Sequence, residues 1–230
     1  MYGAYVLLSG GVDSTTALYK AFDKHQQNML AISIDYGQRH VRELEMAKKS
    51  CELLGIDYHR IDASSLMPKT MLTNKDVDLP DASYADLPAG ISPTYVPFRN
   101  GMMLSIAAAF IQGQIQIAEA QAYAACDINR STALYDHLFK GAGQLRKEIE
   151  LYYGAHAEDS ANWAYPDCTP EFNGAIANAI FIGSYQNIRL FTPLQWMEKS
   201  EVVTMGTRLG VDYANTWSCY AGEEQHCGTC

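Results

Sequence analysis

The chain has no surplus of positive charge: 17 lysines and arginines stand against 26 aspartates and glutamates, for a net charge of −9. A long groove for nucleic acid needs a basic stripe, so direct nucleic-acid binding is not expected. A small anionic substrate remains compatible, because only local charge decides that. No run has the uninterrupted apolar length of a membrane span, and no basic leader with a cleavage site precedes the first apolar run. The expectation is therefore a cytoplasmic protein with no membrane partner. Internal repeats and low-complexity tracts are absent, and 230 residues make one ordinary domain, or a domain with an appendage. Two familiar phosphate loops are missing as well, since the chain has neither Gly-Lys-Ser/Thr nor G-x-G-x-x-G.

What is present is a different loop. The apolar run Ala4-Tyr5-Val6-Leu7-Leu8 leads straight into Ser9-Gly10-Gly11-Val12-Asp13-Ser14, and Thr15-Thr16-Ala17-Leu18 can open a helix. Paired glycines permit backbone angles closed to other residues and let N–H groups approach an anion. A helix N-terminus adds partial positive charge. Ser9 and Ser14 supply hydroxyls, and Asp13 is a candidate magnesium ligand or ligand orienter. The alternative is a tight strand-to-helix turn that binds nothing.

Apolar residues make up 48% of the chain, enough for a core on both sides of a sheet. Apolar or β-rich runs at Ala4–Leu8, Met29–Asp35, Tyr58–Asp62, Leu151–His156 and Ile188–Thr192 alternate with helical patterns. The helices are expected at Ser14–His25, Arg42–Leu54, from Asn100, Pro170–Tyr185 and Lys199–Leu209, with Gly55 and Gly210 as stops. Alternation of this kind predicts an α/β fold with a parallel sheet covered by helices on both faces. Residues 63–98 read as a long irregular loop. Residues 110–149 read as a helix-rich hairpin or insertion serving an interface, which puts a helical insertion at about 112–148 within a single domain spanning 1–230.

Polar clusters follow the strands, where an open α/β sheet places its ligand crevice. After the second run come Asp35-Tyr36-Gly37-Gln38-Arg39-His40. Tyr36 and Gln38 are candidates for adenine or ribose, and Arg39 and His40 for phosphate or a neighbouring subunit. In Thr94-Tyr95-Val96-Pro97-Phe98-Arg99-Asn100, the Arg99 fork suits carboxylate or phosphate. Asn100 reads equally as a ligand contact or an N-cap. After the fourth run, Glu158, Asp159 and Asp167 are carboxylates able to accept from the edge of a guanine-like base, and Trp163 or Tyr165 could stack on it. Trp163 as plain core and Asp167 as a turn or cap are the plainer alternatives.

Of six cysteines, Cys51 and Cys126 fall in helical patterns and read as buried thiols. Cys219, Cys227 and Cys230 cluster in the segment 216–230, where C-x-x-C on a glycine turn has zinc-knuckle spacing. The fourth position is left to another residue or to a cysteine beyond Cys230. His226 is too close to Cys227 for both to bind one ion without straining the turn.

The Ser9–Ser14 loop resembles that of the N-type ATP pyrophosphatases. Seven segments together extend the likeness over nearly the whole length: LLSGGVDSTTAL (7–18), DYGQRH (35–40), TYVPFRN (94–100), GAHAED (154–159), YPDCTPEF (165–172), TPL with Lys199 and Glu201, and TWSCY…CGTC (216–230). In combination they resemble the 7-cyano-7-deazaguanine synthase family. The resemblance implies a five-stranded, adenine nucleotide alpha hydrolase-like sheet and ATP, magnesium and zinc as cofactors. It further implies 7-carboxy-7-deazaguanine and ammonia as substrates, and a homodimer. By the same resemblance the stretch Leu8-Ser9-Gly10-Gly11-Val12-Asp13-Ser14-Thr15-Thr16-Ala17-Leu18 binds ATP, and Asp13, Ser14, Arg99 and Lys199 are the catalytic candidates: Asp13 helps hold magnesium or pyrophosphate, Arg99 meets phosphate or the substrate carboxylate, and Lys199 neutralises phosphate, its plainer alternative being a solvated helix-start lysine. The family's zinc site is four cysteines, three of which map to Cys219, Cys227 and Cys230. The rivals are a ligase that stops at the amide or uses another acid, a sulfur-inserting tRNA enzyme, and a non-catalytic nucleotide-binding zinc module.

Overall fold

The computed structural model describes residues 1–38, 41–66, 70, 95–124 and 148–219. Five strands form one sheet: β1 (Ala4–Leu7), β2 (Met29–Asp35), β3 (Asp57–Asp62), β4 (Ile149–Tyr152) and β5 (Ile188–Phe191). Their order is β3-β2-β1-β4-β5 and every pairing is parallel. Among the described residues, five α-helices run over Val12–His25 (α1), Val41–Leu54 (α2), Arg99–Ala124 (α3), Pro170–Gly183 (α4) and Lys199–Leu209 (α5).

The runs of β1 and β2 lack polar alternation because both faces are covered. Tyr5, Leu7, Leu30, Ile32 and Ile34 pack against Leu104, Ala107, Ile111 and Ile115 of α3 and Ile180 of α4. Their neighbours Ala4, Val6, Leu8, Met29 and Ala31 turn the other way, onto Leu18 and Ala21 of α1 and Ala47 and Cys51 of α2. The period of two along a strand thus feeds two separate cores. α5 adds Val202 against Ala17 and Leu194.

β1 lies at the centre, and the chain winds outward from it first to β2 and β3, then to β4 and β5. The reversal opens a crevice at the carboxyl ends of β1 and β4, the place where such sheets bind ligands.

Three expectations are corrected. The helix from Asn100 does not give way to a separate hairpin at Phe110; it continues unbroken to Ala124. Its only obstacle is Gly113, which costs about 1 kcal/mol against alanine and is outweighed by flanking helix formers. That same helix is, over Arg99–Gln121, long and apolar enough to cross a membrane by length and composition, so the expectation that no segment is so apolar does not hold. Its polar interruptions include Ser105, Gln112, Gln114, Gln116 and Glu119, and its buried stripe lies across the sheet. The fourth strand ends at Tyr152 rather than His156, because Gly154 leaves the ladder to pass against the β1 loop. The rest of the insertion, 125–147, lies outside the described residues.

Candidate functional site

A cavity of about 440 Å³ occupies the crevice. Its floor is the turn after β1. Ser14 Oγ draws this turn closed: it accepts from the backbone N–H groups of Ser9 and Gly10, each at 3.2 Å, and lies 2.9 Å from Ser9 Oγ. Gly10 sits at φ +93°, and a Cβ there would come within 2.0 Å of the Glu43 carbonyl oxygen. The glycine is required by backbone angle and by the close approach of α2.

Leu8, Ser9, Gly11, Val12, Asp13 and Ser14 line the cavity. The remaining residues of the expected ATP-binding stretch do not. Gly10 faces α2. Thr15, Thr16, Ala17 and Leu18 are almost fully buried, because the helix that starts at Val12 turns them toward the core.

At one end of the cavity Lys199 Nζ lies 2.7 Å from both carboxylate oxygens of Asp13. Lys199 gets there as the first residue of α5, whose start is fixed by a reciprocal capping box between Glu198 and Glu201. Glu158 Oε1 accepts the Lys199 backbone N–H at 2.7 Å. Buried His156 extends the network, with Nε2 3.2 Å from Asp159 and 3.7 Å from Asp13. Burial pushes its pKa down, but Asp159 and then Asp13 outweigh that and the net shift is upward. Asp13, His156 and Asp159 bring their ligand atoms within 4.8 Å of one another, so they could hold a cation.

At the other end Arg99, the first residue of α3, donates from Nη1 to the Tyr36 hydroxyl at 3.3 Å. Gln38 is buried and its Oε1 accepts the Tyr36 N–H at 2.9 Å, which braces the turn after β2. Glu43, in the first turn of α2, faces the same space, and burial pushes its carboxyl up to about 7 while Arg99 pulls it down.

Asn100 and Asp167 are brought together. Asp167 Oδ2 accepts the Asn100 backbone N–H at 3.0 Å, and Asn100 Nδ2 donates to Cys168 Sγ at 3.2 Å. Asp167 therefore caps the open N-terminus of α3 and lies buried behind the cavity wall, while Asn100 reaches the lining. Tyr165 also lines the cavity, but Trp163 does not; it is 66% exposed. Burial pushes the Cys168 thiol up to about 12, so at neutral pH it is an uncharged wall group.

The segment Thr216–Cys219 lies over the loop. The Trp217 N–H donates to the Gly10 carbonyl at 2.9 Å, and Ser218 Oγ accepts from Val12 N at 3.5 Å. Arg42 stands over the Trp217 ring at 4.7 Å. Cys219 is buried, and its carbonyl accepts from Trp217 Nε1 at 3.1 Å. Arg39, His40, Cys126, His226, Cys227 and Cys230 lie outside the described residues.

This arrangement can handle phosphate charge: a glycine turn and two cations, Lys199 and Arg99, face one cavity. The family profile described as "Queuosine biosynthesis protein QueC" matches residues 3–132 and 140–230. The chain belongs to the QueC family. A "7-cyano-7-deazaguanine synthase" from Caldicellulosiruptor bescii is 37% identical over 99% of this chain and 87% of the relative. Another from Methanoregula boonei is 36% identical over 99% and 88%. An NH3-dependent NAD synthetase from Campylobacter jejuni is a more distant likeness, at 16% identity and TM-score 0.41, covering 93% of this chain, which spans 66% of that one. Membership of the family implies the use of ATP.

Sequence reasoning missed His156, Glu43, Tyr153, Met103, Trp217 and Ser218 as cavity residues. His156 stood inside a quoted segment, two residues before Glu158, and its place at a strand's carboxyl end was the available signal. Glu43 had none, being one of several acids on an amphipathic helix.

Proposed function

We infer that the chain converts 7-carboxy-7-deazaguanine, ammonia and two ATP into 7-cyano-7-deazaguanine for queuosine biosynthesis, working as a cytoplasmic homodimer. The observation that carries the reading is the shared cavity of the Ser9–Ser14 loop, the Asp13–Lys199 pair and Arg99 in a chain of this family.

The nucleophiles belong to the substrates. The acid's carboxylate attacks the α-phosphorus of ATP, giving an acyl-adenylate and pyrophosphate. Ammonia displaces AMP to form the amide. The amide oxygen is adenylated by the second ATP, and loss of AMP leaves the nitrile. The protein's work is positioning and charge neutralisation. Arg99 orients the carboxylate or a phosphate through its fork. Lys199 transfers its charge from Asp13 to phosphate oxygens as ATP enters. Asn100 and Tyr165 form the wall against which the base lies. Magnesium fits the carboxylate oxygens of Asp13 and Asp159, where it would neutralise phosphate charge. Zinc would be held by the thiolates of Cys219, Cys227 and Cys230, as a structural ion that keeps Trp217 and Ser218 on the loop.

The test is a mass-resolved assay with ATP, magnesium, ammonium and the acid. Nitrile with about two AMP per turnover supports the reading. Accumulating amide with one AMP means that the second adenylation is missing. No AMP from folded, zinc-replete protein overturns it.

A further inference from the structure

Four residues with carboxyl side chains line the cavity: Asp13, Glu43, Glu158 and Asp159. Three are engaged. Asp13 is gripped by Lys199, Glu158 accepts the Lys199 N–H, and Asp159 is held by His156. Glu43 accepts no hydrogen bond from any described residue. The charge facing it is Arg99 of α3, and the titratable neighbour is the Tyr36 phenol beyond β2.

Besides magnesium, the reaction inferred above brings in a nitrogen cation, ammonium, that the cavity must accommodate. Ammonium carries N–H donors only, and it must lose a proton before its lone pair can attack. An unengaged carboxyl is the natural partner for such a group away from bulk water. Glu43 and Arg99 line the same cavity, close enough for the guanidinium to draw the Glu43 carboxyl down; with Arg99 assigned to the substrate's carboxylate, a nitrogen held at Glu43 would be delivered to the carbon it must reach.

We propose that Glu43 binds ammonium and accepts its proton in the amide-forming step, a role that rests on the function inferred above. One N–H proton passes to the Glu43 carboxylate. The freed lone pair forms the C–N bond at the acyl carbon, the C–O bond to the adenylate breaks, and AMP leaves with that electron pair. A second proton leaves the nitrogen for the departing phosphate, and Glu43 returns its own proton to solvent. The upward shift of the Glu43 carboxyl suits this task, since a base works best with a pKa near the working pH.

The experiment compares wild-type enzyme and Glu43→Gln, with ATP, magnesium and the acid, using ammonium or hydroxylamine as the nucleophile. Hydroxylamine is largely neutral at pH 7.5 and traps the acyl-adenylate without a base. The expected result is a fall of roughly 100-fold in ammonium-dependent amide, with hydroxamate formation within about threefold of wild type. An unchanged ammonium rate overturns the proposal, and so does an equal loss with both nucleophiles. Absence of product from wild type with either nucleophile sinks the underlying function and the proposal with it, whereas hydroxamate without discrimination sinks the proposal alone. If Glu43→Gln does not fold, the wild-type pH profile decides. With Glu43 as base, kcat/KM for total ammonium levels off above about pH 7. A continued climb of about tenfold per pH unit, following free ammonia, overturns it.

Discussion

Lys199 Nζ bridges both carboxylate oxygens of Asp13 at 2.7 Å, although 186 residues separate the two in sequence. The pair places a cation and an anion beside the Ser9–Ser14 turn, and in the proposed reaction an incoming triphosphate would compete with Asp13 for that cation. Lys199→Met is expected to lower AMP formation by roughly 10²–10³-fold, the scale for losing one charge aimed at a developing anion. The Lys199 side chain is 42% exposed, so stability should change by no more than about 1 kcal/mol. AMP release and a thermal melt on the same sample separate the two effects. A large drop in melting temperature would mean that the pair is structural.

Gly10→Ala should be far more damaging than its size suggests. The new Cβ would meet the Glu43 carbonyl at 2.0 Å, on a backbone with φ +93°. Strain of about 1–3 kcal/mol is expected from the angle alone, before the clash. Calorimetric ATP titration should show lost binding. Gly55→Ala is the control: its φ is also positive, +64°, but nothing lies within 4 Å, so it should cost stability and leave ATP affinity intact.

Glu43 couples folding to pH. Burial raises its folded-state value from 4.5 to about 7. A carboxyl raised in this way is most compatible with folding below its unfolded value, and stability is lost as pH rises through the folded one. The loss approaches about 3 kcal/mol above pH 7, from about 1.4 kcal/mol per unit. Urea unfolding should therefore find Glu43→Gln more stable than wild type at pH 8, with the gap closing toward pH 5. A gap that does not change with pH would contradict the shift.

Cys168 should be chemically silent. Its thiol is buried and pushed up to about 12, so almost no thiolate exists at pH 8. Peptide mapping after iodoacetamide treatment of folded enzyme should find Cys168 unmodified. Cys168→Ser should form no less AMP than about a third of wild type, because no step uses the sulfur as a nucleophile. Rapid alkylation, or loss of all AMP with the fold intact, would require a different role.

Removal of the zinc proposed for the terminal cysteines should act through the loop. Trp217 donates to the Gly10 carbonyl and Ser218 Oγ accepts from Val12, immediately before Cys219. Chelation that strips the ion is expected to weaken ATP binding before it melts the sheet, with bound metal followed by plasma mass spectrometry. Full ATP affinity in metal-free protein would separate the segment from the site.

Much of this was legible from local order. Strands buried on both faces write themselves as continuous apolar runs, and Ala4–Leu7 and Met29–Asp35 fall where those runs lie. The loop was legible because its residues are adjacent and its glycines answer to backbone angle. The extent of α3 was less so: Gly113 and the glutamines weaken the helical pattern, yet packing of Ile111 and Ile115 on the sheet carries the helix through them. Asp167 was read among the base-edge acceptors or as a cap for its own helix. It caps α3 instead, since only the folded chain brings the YPDC turn to that helix's exposed N–H groups.

Order along the chain set the sheet, the Ser9–Ser14 turn and the cysteine spacing of the terminal segment, because each depends on neighbouring residues. Tertiary structure alone decided that Lys199 meets Asp13, that Glu43 faces the cavity while Thr15 to Leu18 turn inward, and that Trp217 rests on Gly10. The physical reason is direction. A side chain's partner is set by which face of its helix or which turn of its loop points at the crevice, and that follows from how distant elements pack.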